Sequence, residues 1–421
     1  MQSVRIANRV LFPAMSALLL GAQAFATTYV VDDDGGPGVD FTDLPAAVAA
    51  AQPGDVLRVM PGSYSAFTCT KAITILGYGG PTVNGQVVLG GILPGRPLVL
   101  AGLAPTRLLV TGSEGAVIAQ QVAAVDTIRV ELCQDVRLLG VNSSGVGSVP
   151  GSPGIQIVGS RVEIVQSDVK GVSAADACYT PGGSGVVAST GSVVHFALSN
   201  STGGVGSQCY TQGSQASNGG AGFMAAESNV ILAGGGQGRI HGGVPGFAWW
   251  WWDNCYYDGQ GGFGVRALNA DVAYSRVDVS GAPYTFSVSV HDVVCYDAVS
   301  PDFYGSAFTS VSPRHSTLAL SGIPTPGQAV NLTLSGAVGS HASIWLGRQW
   351  LIQSEPNVDI ELAVNRLRVI DLGTMPESGS ITVPLEISGA YAPGAAFGVQ
   401  GECRLASGAV RRSNSIPIIV R

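Results

Sequence analysis

Val136-Arg137-Leu138-Leu139-Gly140 sets apolar residues around a charged one and ends on a glycine. Side chains alternate along a strand, so Val136 and Leu138 face one side and Arg137 the other. The same pattern stands at Val162-Glu163-Ile164, Val194-His195-Phe196, Val230-Ile231-Leu232 and Val272-Ala273-Tyr274. Earlier versions are Ile73-Thr74-Ile75-Leu76-Gly77 and Leu108-Leu109-Val110-Thr111-Gly112. The copies recur roughly every 30 residues, a period typical of units that cannot bury their apolar face alone and stack to do so. Short strands, Gly- and Asn-rich turns and almost no helical signal predict an all-β solenoid with the valines piled coil upon coil around one interior.

Stacking the copies puts Arg137, Glu163 and His195 in one column on the side opposite the valines, with Asp135 and Arg161 just before it. Opposite charges on adjacent strands contribute roughly 0.2–1 kcal/mol per pair. The column reads as a surface ion ladder that fixes register. The sharper alternative is an acid/base site of Glu163 and His195 with Arg137 beside them.

Composition bounds the rest. The chain has 421 residues, 46% hydrophobic and 12% charged, so it has material for a large core and is not a disordered chain. Its 59 glycines follow no three-residue period, which excludes collagen. The net charge is −7 and lysine occurs only at Lys71 and Lys170, so the basic footprint of a nucleic-acid binder is missing. Residues 1–26 read as a signal peptide: Arg5 and Arg9, an apolar run from Val10 to Leu20, then Ala22, Ala24 and Ala26. That predicts a secreted, extracellular or cell-surface protein with no membrane span in the mature chain.

Thr42 or Asp43 fits a helix cap, Pro45 a first turn, and Ala46 to Ala51 a short helix stopped by Gln52-Pro53-Gly54-Asp55. Strands follow at Val56 to Met60 and Ala72 to Leu76. Further on, the repeat intervals lengthen because loops are inserted, and those loops resemble one another. Ala177-Cys178-Tyr179-Thr180-Pro181-Gly182, Gln208-Cys209-Tyr210-Thr211-Gln212-Gly213 and Asn254-Cys255-Tyr256-Tyr257-Asp258-Gly259 share Cys-Tyr followed by Gly, and Val294-Cys295-Tyr296 is a weaker copy. Equivalent positions in adjacent coils lie about 4.8 Å apart, within the Cα range of a disulfide, about 4.4–6.8 Å. Cys178–Cys209 and Cys255–Cys295 are the expected pairs; the alternative is free, buried thiols. With seven cysteines, at least one has no intramolecular partner.

One insertion carries Trp249-Trp250-Trp251-Trp252 followed by Tyr256-Tyr257. If extended, two tryptophans face each way. One pair packs on the wall while the other offers an apolar platform with a polar tip, suited to a sugar face. The plainer reading is a small aromatic core covering the flank of the coils. Near residue 310 the texture changes. Seven candidate strands (Ser316–Leu320, Ala329–Ser335, Ser343–Leu346, Asp359–Leu362, Ile381–Ile387, Ala396–Glu402 and Ser415–Val420) predict a β-sandwich. The domain plan is therefore signal peptide 1–26, solenoid 27–310 and sandwich 311–421.

The entry segment resembles that of pectin-lyase-like right-handed parallel β-helix proteins. It runs Asp40-Phe41-Thr42-Asp43-Leu44, Ala47-Val48, Gly54-Asp55-Val56-Leu57-Arg58-Val59, Pro61-Gly62-Ser63-Tyr64 and Ile73-Thr74-Ile75-Leu76-Gly77. The resemblance implies a right-handed parallel β-helix closed by a short N-terminal cap helix. The two-part layout, with Val31-Asp32-Asp33-Asp34-Gly35-Gly36-Pro37-Gly38 opening the mature chain and Ser413-Asn414-Ser415 before the last strand, is similar to uncharacterised secreted proteins of Planctomycetes-like bacteria. The fold carries lyases, hydrolases, esterases and non-enzymes alike. The esterases' set, a Gln-Asp pair with a second Asp inside a Phe-rich strand, is not met by Gln134-Asp135 alone. The Asn-Thr-Asp, Gly-His-Gly and Arg-Ile-Lys motifs of the polygalacturonases are missing, and the only Asp run, Asp32-Asp33-Asp34, stands at the entry end, far from where the active coils would lie. Lyases of the fold use Ca²⁺; Asp253, Asp258, Asp292, Asp297 and Asp302 are candidate ligands, without a diagnostic spacing. The expectation is a protein without a cofactor, Ca²⁺ entering only for a lyase. It binds a polysaccharide or cell-surface polymer, non-catalytically, through the tryptophan segment. The alternatives are a polysaccharide-active enzyme, lyase before hydrolase, and a purely structural surface protein.

Overall fold

The computed structural model describes residues 26–144, 149–174, 180–207, 217–245, 260–282, 289–290, 293–294, 302–305, 308–310, 316–347, 350–352, 362–364 and 368–421. All but the last residue of the expected signal peptide lies outside them.

The chain builds the expected parallel β-helix. Three parallel sheets of eleven, six and ten strands form its walls; the first coils visit only the eleven- and ten-stranded sheets, and from Val117 onward the coils visit all three in that order. The register stacks Leu98, Val117, Val136, Val162, Val194, Val230, Val272 and Phe308 in one inward column of the eleven-stranded sheet. Leu100, Ala119, Leu138, Ile164, Phe196 and Leu232 form the second. Both belong to one continuous apolar interior. Leu108 is the exception to the sequence reading: it pairs with Ile128 in the ten-stranded sheet. The coils between Ile73 and Val136 instead enter the eleven-stranded sheet at Leu98 and Val117.

Two of the three corners are tight bends, each turning on one residue in the left-handed region. Gln121, Gln166, Leu198 and Arg276 do this between the eleven- and six-stranded sheets, and Leu132, Thr190, Glu227 and Asn269 between the ten- and eleven-stranded ones. Buried serines satisfy the backbone there. Ser167 Oγ accepts from Val141 N–H (3.1 Å) and donates to Val165 O (2.9 Å), while Ser199 Oγ accepts from Ser167 N–H (3.0 Å). A buried amide left without a partner would cost about 1–3 kcal/mol, so each serine contributes at every coil it serves.

The entry is capped as expected. A helix spans Leu44–Ala50, with Asp43 as N-cap accepting from Leu44 N–H at 2.8 Å. Lys71 Nζ closes the other end, donating to the carbonyls of Val48, Ala49 and Ala51 at 3.1, 2.7 and 2.9 Å.

After the last parallel strand, Phe308–Ser310, the chain becomes antiparallel. A three-stranded sheet (Thr317–Ser321, Ala329–Ser335, Ser380–Glu386) faces a four-stranded one (Arg368–Thr374, His341–Gly347, Ala396–Arg404, Val410–Ile419). Pro384 sits in an edge strand, where its missing N–H costs no ladder bond. The expected strand Asp359–Leu362 falls almost wholly outside the described residues, and the strand Arg368–Thr374 was not expected.

The antiparallel core does not close on itself. Leu318, Leu332, Ile344, Val399, Ile416 and Ile418 share one cluster with Leu139, Val165, Ala197 and Ala233 on the outside of the solenoid wall. The last strand is buried on both sides from Arg412 to Ile419. One side faces the antiparallel core. On the other, Ile419 packs among Val56, Leu76, Val99, Ala101 and Ile118 of the eleven-stranded sheet. The strand therefore runs across the coils, with Ser415 over the Arg137 and Glu163 coils and Ile419 over earlier ones.

Candidate functional site

Two places gather the residues singled out from the sequence. The first is the wall beneath the last strand. Parallel register puts Ile118, Arg137, Glu163, His195 and Ile231 side by side in five successive coils, all facing out of the solenoid. The column is not on the surface, contrary to the ladder expected. Arg137, Glu163 and His195 are 1%, 0% and 4% exposed because the antiparallel domain covers them.

Their partners are shared between the two units. Glu163 Oε1 accepts from Ser415 N–H (2.7 Å) and lies 3.3 Å from His195 Nδ1. Glu163 Oε2 accepts from the Ser415 hydroxyl, which also meets Arg137, and Arg137 Nη1 is 3.7 Å from that carboxylate. Asp135, just before the strand of Arg137, holds it at 3.0 Å through Nε and 3.2 Å through Nη2. Burial pushes the Glu163 carboxyl up, but the hydrogen bond with His195, the Arg137 charge and the Ser415 hydroxyl outweigh it and hold the group below its ordinary value. His195 Nε2 is buried without a hydrogen-bond partner. Glu163 and His195 are thus brought together as the sequence suggested, beneath a protein layer that separates them from solvent.

Beside this column Gln166 of the solenoid ties the units by bonding the backbone of Leu320, and within the antiparallel unit the same edge strand is held by Asn414. Asn414 Oδ1 accepts from Leu318 N–H and its Nδ2 donates to Leu318 O, both at 2.8 Å. Arg412 lies over the Trp345 ring at 4.6 Å and 3.8 Å from Glu402. Ser415 and Gln166 did not stand out in the sequence as site residues, because both earn their place only through a strand arriving from far along the chain.

The second place is the corner between the six- and ten-stranded sheets, where every late insertion leaves. Residues 171–185, 203–222 and 242–264 all span it. The outgoing and returning legs interleave in one hydrogen-bonded glycine stack. Gly183 N–H donates to Val172 O (2.9 Å), Gly204 to Gly183 (2.7 Å), Gly220 to Gly204 (2.9 Å), Gly243 to Gly220 (2.7 Å) and Gly262 to Gly243 (2.8 Å). A Cβ on Gly183, Gly203, Gly220, Gly242 or Gly262 would fall on a neighbouring carbonyl oxygen. Only glycine lets backbones approach so closely.

The loops carried by this corner hold Cys178, Cys209, Cys255, Cys295, Trp249, Trp250, Trp251, Trp252, Tyr256 and Tyr257, and all ten lie outside the described residues. Of the other cysteines, Cys69, Cys133 and Cys403 are buried free thiols, and burial pushes each of them up.

For a metal, Asp32, Asp33 and Asp34 bring carboxylate oxygens within 4.8 Å of one another at the entry end. Asp32 already accepts from Asp34 N–H (3.2 Å) and Asp33 from Ser63 N–H (2.8 Å). Asp302 accepts from Gly281 N–H at 3.1 Å, and the other four acids named for Ca²⁺ lie outside the described residues. No helix among the described residues is long and apolar enough to cross a membrane. No family model, curated protein or solved structure matches this chain.

Proposed function

We propose that the chain is a secreted or cell-surface protein of pectin-lyase-like type, akin to those of Planctomycetes-like bacteria, that binds a polysaccharide or surface polymer without transforming it. One observation carries this reading: successive insertions spring from a single corner of the solenoid, on a glycine stem too tightly packed to accept a side chain. A rigid stem that carries the Trp249–Trp252 and Tyr256-Tyr257 segment is an economical way to present aromatic platforms to a polymer. The burial of Glu163 and His195 favours binding over an acid/base reaction at that column.

The test is tryptophan fluorescence of the full-length protein titrated with acidic and neutral polysaccharides. Trp345 and Trp350 remain in parent and variant alike and supply a common background. A saturable shift or quench that disappears when residues 249–252 are replaced by alanine supports the reading. No response to any glycan removes it.

A further inference from the structure

The junction between the two units joins a titratable column to a strand that arrives from the other unit. We propose that it is an acid-released clamp: neutralising Glu163 weakens the docking of the antiparallel domain, so that acid releases the domain from the solenoid while the solenoid remains folded. Both oxygens of Glu163 accept from one residue of the covering strand, the backbone N–H and the hydroxyl of Ser415. A protonated carboxyl loses the charge that strengthens both bonds and forces the Ser415 hydroxyl to turn from donor to acceptor beside the Arg137 guanidinium.

The charged and titratable neighbours are these. Arg161 stands on the strand of Glu163, Arg137 with Asp135 on the preceding coil, and His195 on the following one. The covering strand brings Arg411 and Arg412, and the strand beside it Glu402 and Arg404. Neutralising Glu163 takes one of the two carboxylates from beside the buried Arg137 guanidinium, leaving Asp135. Breaking a buried pair from one side is strongly unfavourable. The inward columns of the solenoid wall carry no carboxylate or imidazole, so the same acidification leaves the stack intact.

The sign is fixed by the direction of the Glu163 shift. Its folded value is depressed below 4.5, so its contribution to docking is complete above that pH and fades as pH falls through the folded value.

Small-angle scattering and far-UV circular dichroism of the full-length protein, taken from neutral to strongly acid pH, test the clamp. The expected result is a reversible rise in radius of gyration with strand signal retained. In Glu163→Gln, hydrogen exchange at the Ser415 amide should quicken about tenfold at neutral pH, as expected for weakened local closure. Ser415→Ala keeps every charge and should open at higher pH than the parent. A radius that holds until the strand signal is lost overturns the clamp. So does an exchange rate in Glu163→Gln equal to that of the parent or, if that variant fails to fold, an unshifted opening in Ser415→Ala.

Discussion

Gln166 completes the hydrogen bonding of Leu320. Its amide Nε2 donates to Leu320 O at 3.0 Å and its Oε1 accepts from Leu320 N–H at 3.1 Å. A side chain from a solenoid corner thereby stands in for the missing neighbour of the edge strand Thr317–Ser321. Asn414 does the same for Leu318, two residues earlier. An edge strand so occupied offers no template for pairing with another chain.

Gln166→Ala strands both backbone groups of Leu320. The expected loss is about 1–3 kcal/mol, read from denaturant unfolding. Gln166→Glu keeps the acceptor and loses the donor, and should fall between the parent and Gln166→Ala.

In the glycine stem, Gly220→Ala would drive a methyl group onto the Gly183 carbonyl. Rigid backbone on both sides cannot yield, so the variant should lose about 3 kcal/mol or more. Gly191→Ala meets no atom within 4 Å and faces only its left-handed φ of 70°. Its expected cost is about 1–2 kcal/mol. Thermal unfolding of the two variants side by side checks the ranking.

Charge removal at the junction should be asymmetric. Arg137→Met leaves Asp135 and Glu163 buried without their cation and should cost about 3–5 kcal/mol. Glu163→Leu leaves the Arg137–Asp135 pair intact and chiefly orphans the Ser415 N–H, a loss of about 1–3 kcal/mol. Equal losses in calorimetry would contradict this accounting.

At the entry, Lys71→Met removes the donor that closes three carbonyls of the cap helix. The helix spans only seven residues and depends on its ends. Amide exchange in Leu44–Ala50 should quicken, while exchange in the Val162 coil stays unchanged.

The solenoid was legible because its inward positions repeat one chemistry at every coil. Val136, Val162, Val194, Val230 and Val272 stack as read. That same uniformity hid the wall to which a segment belongs: Leu108-Leu109-Val110 has the pattern of one sheet and lies in another. The bends were half visible, since a search for glycine misses corners turned by Gln166, Leu198 or Thr190. The column of Arg137, Glu163 and His195 was legible as neighbours. Its burial was not, because cover comes from residue 415, and no local pattern announces a contact across that separation. Asn414 was noticed as part of a resemblance, and its task became clear only beside Leu318.

The final strand lies over several coils at fixed points, with Ser415 at Glu163 and Ile419 in the hollow bordered by Val99 and Ile118. It acts as a ruler. Adding or deleting a whole coil between Val117 and Val162 would displace one anchor by about 4.8 Å relative to the other. Duplication of repeats, the ordinary way a solenoid lengthens, is therefore compatible with this architecture beyond the ruler and barred beneath it.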